Sequence, residues 1–255
     1  MFPAMRRLHL ATASLALLLA GGLGAGRAAA AEVLVDGSFE AQKSSGDLRK
    51  DGKGLDWYES RDDGEGAKLL MLSSKDVGGN ASKKAMLKAH PDLNSYLSQR
   101  LAAPIKVAAT LHYDLFVREI LPDDNRSAFC FLGGIKDKQG GPNSTGAERF
   151  VFLGCENAAT PGKMNLFARE GANDWAKRTL VAKDLELGKW HTIVVEVNVA
   201  EGFYAVHVEG RTQPFELESF FTKGKTPSQL THLSFASWND GAGTFYVDNV
   251  SLQGN

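Results

Sequence analysis

From residue 108 onward the apolar and polar positions of the chain read as a succession of strands. In ATLHYDLFVREI, Leu111, Tyr113, Leu115 and Val117 fall on one face, with His112, Asp114, Phe116 and Arg118 on the other. The alternation lapses at the end of this run, where Glu119 takes an apolar position and Ile120 a polar one. SAFCFLGG, ERFVFLGCE, KMNLFARE, WHTIVVEVNV, FYAVHVEG, THLSFASW and GTFYVDNVSL follow, divided by Gly, Asn, Asp or Pro. Short strands at such spacing predict an all-β antiparallel two-sheet sandwich rather than βαβ units. Residues 41–107 are richer in Lys, Asp, Gly and Ser, and AKLLMLSS and NSYLSQRL read there as the first strands of the same sandwich, joined by long loops. A short helix is expected at Glu216 to Phe221 or around Pro227 to Leu230.

The start of the chain has a different pattern. Arg6 and Arg7 precede an apolar stretch from Ala11 to Leu19, and small residues from Ala28 to Ala31 complete the signature of a secretory signal peptide over residues 1–31. The expected product is a single sandwich domain over 32–255, secreted or periplasmic, with no membrane span. Without the leader the chain carries 26 basic and 30 acidic residues, a net of −4 that argues against nucleic acid or an anionic membrane as partner. Cys130 and Cys155 stand in two strand-like runs, and in an oxidising compartment a disulfide between them is the simplest expectation.

The two ends of this domain answer each other. VLVDGSFE at 33–40 and FYVDNVSL at 245–252 both set oxygen-bearing side chains, Asp36, Glu40, Asp248 and Asn249, into apolar strand character. If the two terminal strands lie side by side, several hard oxygens converge, the ligand type that Ca²⁺ prefers.

GKWHTIVVEVNVAEGFYAVHVEG at 188–210 resembles the paired strands of concanavalin A-like lectin and glucanase sandwiches. FYVDNVSL resembles the terminal strand of that superfamily and of jelly-roll carbohydrate-binding modules, and VDGSFE their opening strand. The resemblance implies a jelly-roll fold and a structural Ca²⁺ held by Glu40 and Asp248, with backbone carbonyls completing the shell. The alternative for these two residues is a strand end and a satisfied turn.

No complete catalytic set stands in the sequence. Glu196-Val-Asn-Val-Ala-Glu201 resembles the E-x-D-x-x-E strand of laminarinase-type glucanases, but its middle acid is Asn198 and Glu201-Gly202 reads as a hairpin turn. Polysaccharide lyases of the same sandwich need a base or aromatic hydroxyl with Arg or His on one sheet, and His112, Arg118, His207 and Arg169 are the candidates. A sugar site combines an aromatic platform with fixed polar groups. The loop Trp238-Asn239-Asp240 and the segment around Trp175 fit that combination, with His207 and Arg118 as further contacts, whereas Trp190 reads as core and Trp57 and Tyr58 as either. A strand-end role for Trp238 remains the alternative. These readings add up to a lectin-like module for a polysaccharide or glycoconjugate, with a glycoside hydrolase or lyase, or a non-sugar surface protein, as rivals.

Overall fold

The computed structural model describes residues 30–49, 56–62, 69–88, 90, 92–121, 126–134, 149–172, 178–209, 211–212, 217–221, 226–237 and 243–254. In chain order the strands are β1 (Ala31–Glu32), β2 (Tyr58–Asp62), β3 (Leu70–Ser73), β4 (Lys84–Leu87), β5 (Ser95–Ile105) and β6 (Ala108–Ile120). Next come β7 (Arg126–Gly133), β8 (Arg149–Asn157), β9 (Lys163–Arg169), β10 (Gly171–Ala172), β11 (Arg178–Glu186) and β12 (Trp190–Asn198). The last six are β13 (Phe203–Val208), β14 (Arg211–Thr212), β15 (Leu217–Glu218), β16 (Phe220–Phe221), β17 (Leu230–Ser237) and β18 (Gly243–Gly254). A single 3₁₀ turn at Asp47–Arg49 is the only helical element among the described residues. Where a helix was expected, Leu217–Glu218 and Phe220–Phe221 are β15 and β16, with 216 outside the described residues, and 228–229 form a bend.

Two antiparallel sheets face each other. One has seven strands in the order β11-β9-β8-β7-β17-β5-β2. The other has nine, with β14-β13-β12-β6-β18-β4-β3 as its path, β1 attached to β18 and β15 to β13. A two-stranded parallel pair, β10 and β16, stands apart from both. The inward faces meet in one hydrophobic cluster that includes Leu111, Tyr113, Leu115 and Val117 from β6, Val247 and Leu252 from β18, and Leu97, Leu132, Leu153 and Phe235 from the facing sheet. The face assignment read from the alternation of β6 therefore holds.

Bulges explain the lapses in that alternation. Thr244 pairs with Glu119 but Phe245 with Val117, so Arg118 is an extra residue on β6. The shift returns Ile120 to the core, where it is buried. A second shift separates the pairs Asp248–Asp114 and Ser251–His112, with Asn249 at φ 50°, a left-handed geometry that Asn tolerates well. That bulge lets Val247, Val250 and Leu252 all reach the core although their spacing is not even.

The opening block is less of a strand than its alternation predicts. Only Ala31–Glu32 pairs as a ladder, against Gly254 and Gln253. Beyond it the chain is held by single bonds: Val33 N–H to Leu252 C=O (2.9 Å), Ala102 N–H to Val33 C=O (3.0 Å) and Val250 N–H to Gly37 C=O (2.8 Å). Asp36 and Phe39 have positive φ, which breaks the extended path. A Cβ at Gly37 would lie 1.6 Å from the Val250 carbonyl oxygen, so only glycine permits this approach. Phe39 and Trp57 then close the end of the core, 5.1 Å apart, with the indole N–H of Trp57 donating to Asp36 C=O (2.9 Å). Trp57 is thus a core residue.

Cys130 and Cys155 are both buried free thiols, not the expected disulfide. They lie on adjacent strands, but Cys130 pairs with Leu153 and Cys155 with Ser127, which puts the two cysteines on a diagonal. Diagonal strand neighbours stand about 7–8 Å apart, beyond the usual span of a disulfide. Burial pushes both thiols up to about 12, so they remain protonated packing groups.

Candidate functional site

The two outer faces of the sandwich differ in chemistry. On the seven-stranded sheet the residues that alternate with the core form three cross-strand rows. The first carries Tyr96, Ala236 and Phe129, continued by Phe167 and Leu180 opposite Gly154. Gly154 is required there, because a Cβ would approach Phe167 and Phe129 to 2.7 and 2.8 Å. The second row runs Tyr58, Ser98, Ser234, Phe131, Phe152. The third is Arg100, His232, Gly133, Arg149.

Aromatic rings and guanidinium groups interlock across the β7–β8–β9 end of these rows. Phe131 and Phe152 meet edge-on at 4.9 Å, and Phe220 from β16 covers Phe152 at 5.1 Å. Arg149 lies 4.3 Å from the Phe131 ring centroid, and Arg169 lies 5.0 Å from both Phe152 and Phe220. At the edge of the sheet, Arg178 pairs with Glu156 (3.1 Å). This aromatic part is buried under β16, so it serves as a second core that fixes arginines above the sheet.

The β2–β5–β17 end is polar instead. Ser98 and Ser234 share a 2.5 Å hydrogen bond and are fully buried. Burial pushes the Tyr58 hydroxyl up to about 12 against the pull of Arg100, so it stays a phenol. Burial, with Arg100 adding to it, lowers His232 to about 4, so its imidazole is neutral at neutral pH. The Nδ1 atom of His232 is 2.9 Å from Thr231 Oγ1. Arg100 is exposed while the groups beside it are buried. A cation open to solvent beside a neutral imidazole and a phenol is an arrangement suited to an anionic ligand.

Sequence reasoning did not select Arg100, His232, Ser98 or Ser234. Their signal is weak in one dimension: Ser98-Gln99-Arg100 and Thr231-His232 read as ordinary polar stretches of strands, and only the register of β5 on β17 brings them together.

The other outer face carries polar pairs of one exposed and one half-buried partner. His207 Nε2 lies 3.3 Å from Glu196 Oε2. Thr192 Oγ1 and Asn249 Nδ2 donate to the two oxygens of Asp114 (2.6 and 2.8 Å). His112 and His207 both pair with Val194 across three neighbouring strands. Arg118 sits further along β6 at the bulge, its guanidinium 5.3 Å from the Tyr246 ring. Tyr246, Phe116 and Trp190 form a small cluster there under Val77, whose carbonyl accepts from the Trp190 indole (2.7 Å). Glu201 lies in the β12–β13 turn, bonded to Asn198. Glu196 and Glu201 therefore form no glycosidase pair.

Of the expected sugar contacts, His207 and Arg118 lie on this nine-stranded sheet, on different parts of it. Trp175, Trp238, Asn239 and Asp240 lie outside the described residues. Arg169, named as a lyase candidate, is on the seven-stranded sheet, away from His112, Arg118 and His207.

Glu40 and Asp248, the expected metal ligands, lie in one region. Asp248 is fully buried and accepts from Asn80 Nδ2 (2.8 Å) and Ser82 Oγ (2.6 Å), with its other oxygen on the Asn249 N–H (2.7 Å). The Glu40 carboxylate accepts the Lys83 N–H (2.9 Å). The surrounding carbonyl oxygens are already engaged by ammonium groups. Lys83 Nζ donates to Glu40 C=O (2.7 Å) and Gln42 C=O (2.9 Å), and Lys84 Nζ to Lys75 C=O (3.0 Å) and Ser82 C=O. These residues do not fit a divalent cation, because two lysines point their charge into the place it would take. No group of three His, Cys, Asp or Glu suited to a metal occurs among the described residues.

No protein-family model matches the sequence, and no curated protein does. Solved structures match by shape. A carbohydrate esterase from the Shiga toxin-encoding bacteriophage phi24B superposes with a TM-score of 0.56 at 13% identity, over 88% of this chain and 97% of that one. A GH131 beta-glucanase catalytic domain from Podospora anserina gives 0.52 at 16% identity, over 88% and 96%. A sialidase gives 0.53 at 12% identity over 88% of this chain, which spans only 18% of the sialidase. The architecture they share with this chain is the antiparallel two-sheet β-sandwich. At these identities the likeness concerns architecture alone.

Proposed function

We propose that this protein is exported and that it binds an acidic polysaccharide or glycoconjugate through the outer face of the seven-stranded sheet. The observation that carries this reading is the row Arg100, His232, Gly133, Arg149 beside the buried Tyr58 hydroxyl. Arginine suits a sugar carboxylate or sulfate because its planar fork can donate two parallel hydrogen bonds. Gly133 leaves the space between His232 and Arg149 free of a side chain. The names of the phage esterase and the beta-glucanase give independent support for carbohydrate as the partner class.

The test is retention of the purified chain on immobilised uronate-rich, sulfated and neutral polysaccharides. Retention on an acidic class, weakened by salt and lost in Arg100→Ala, is the expected result. Equal retention on neutral glycans, or none on any, refutes it.

Turnover is the second reading, and Tyr58, Arg100 and His232 favour it. In a uronate, Arg100 would neutralise the carboxylate while neutral His232 takes the C5 proton. The C4–O bond then breaks, a C4=C5 double bond forms, and the Tyr58 phenol protonates the departing oxygen. Such a product absorbs in the ultraviolet. Growth of that absorbance on an acidic polysaccharide, abolished in His232→Gln, would establish a lyase; binding without it leaves a lectin-like module.

A further inference from the structure

The carbonyl-rich region where the two ends of the domain meet has the oxygen donors of a structural cation site, and it holds side-chain ammonium groups instead. We infer that Lys83 and Lys84 act as a built-in replacement for a structural divalent cation, fastening the opening segment and the 75–82 loop to the start of β4, beside Asp248 of β18.

The donor set supports this. Four backbone carbonyls, from Glu40, Gln42, Lys75 and Ser82, accept from the two ammonium groups, and they come from two separate segments of chain. Behind them Asp248 is fully buried and accepts three hydrogen bonds. Lys84 begins β4 and is also fully buried, although lysine is rarely so unless paired. Val247 pairs with Ala85, so Asp248 and Lys84 occupy the next opposed positions of the same antiparallel ladder. The register thus brings the ammonium near the carboxylate, which acts on it through charge, while its hydrogen bonds go to the Lys75 and Ser82 carbonyls. A metal would need the same oxygens, and it would meet a positive charge already there.

Thermal melts of the purified chain test this in two independent arms. In the first, millimolar Ca²⁺ or a chelator leaves the wild-type midpoint unchanged; a midpoint that rises with Ca²⁺ or falls with chelator overturns the inference. In the second, Lys84→Met strands a buried carboxylate and lowers the midpoint by about 10 °C. Adding Asp248→Asn to that variant removes the stranded charge, so the double variant melts above Lys84→Met. If Lys84→Met leaves the midpoint unchanged, or if the two losses add, Lys84 is not the counter-charge of Asp248. Should the single variant fail to fold, the double variant and the first arm still decide.

Discussion

The two outer faces of one sandwich have opposite designs. On the nine-stranded sheet, exposed Glu196 and Thr192 pair with half-buried His207 and Asp114, and an ion pair with one partner in water gains little over solvation. On the seven-stranded sheet, Tyr58, Ser98, Ser234 and His232 are buried, and their protonation is displaced or their hydrogen bonds are short. Polar groups held out of water cost stability unless something compensates, and a ligand that replaces the missing water is one such compensation. The aromatic layer beside them, with its guanidinium groups set against phenyl rings, gives that face the rigidity a binding surface needs.

The largest expected difference between the faces is in packing. Phe152→Ala removes a ring that touches Phe131, Phe220, Arg149 and Arg169, and should cost about 3–5 kcal/mol in denaturant unfolding. Val194→Ala, at the centre of the other face and half-buried, should cost about 1 kcal/mol or less. Equal losses would mean that the aromatic layer is no second core.

A second contrast is in pH. His232 is lowered to about 4 in the folded chain, whereas an unfolded histidine titrates near 6.5. Above the unfolded value both states are neutral and the group contributes nothing to pH dependence. As pH falls from 6.5 towards 4, the unfolded state takes up a proton that the folded state refuses, and stability is lost. The loss should be about 2 kcal/mol, below the full equivalent of the shift because water partly screens the site. His232→Gln should flatten the stability profile over this window, while carboxylates shared by both proteins cancel in the difference. A profile identical to wild type would place His232 in water.

The smallest effects belong to the exposed face and to the thiols. Glu196→Gln should change stability by about 0.5 kcal/mol or less. Reducing agent should leave the melt unchanged, and a thiol reagent should titrate both cysteines only in denaturant, since Cys130 and Cys155 are free and buried. One blocked pair of thiols in denaturant would indicate a disulfide.

Much of the fold is legible in the alternation of residues 108–252, because a strand with one buried face must repeat every two residues. One irregularity was legible too, as the lapse at Glu119-Ile120, but not its meaning, because a bulge is a relation between two strands; the other, at Asp248-Asn249, read only as oxygen-bearing residues in a strand. The opening block illustrates the opposite case. Its alternation is real, yet positive φ at Asp36 and Phe39 turns it into a strap rather than a strand. Register was the missing information for the candidate site, since Arg100 and His232 become neighbours only through the pairing of β5 with β17. The same limit applied to Cys130 and Cys155, whose strands are adjacent but whose positions are diagonal. Terminal carboxylates suggested a metal because sequence cannot show where Lys83 and Lys84 direct their charge.

The most direct measurement is a side-by-side comparison of Arg100→Ala and His207→Gln for retention on an acidic polysaccharide at low salt. The account predicts that the first abolishes retention while the second leaves it intact, because one lies on the buried polar face and the other on the solvated one. Loss in His207→Gln with retention in Arg100→Ala would put the binding surface on the opposite sheet and contradict it.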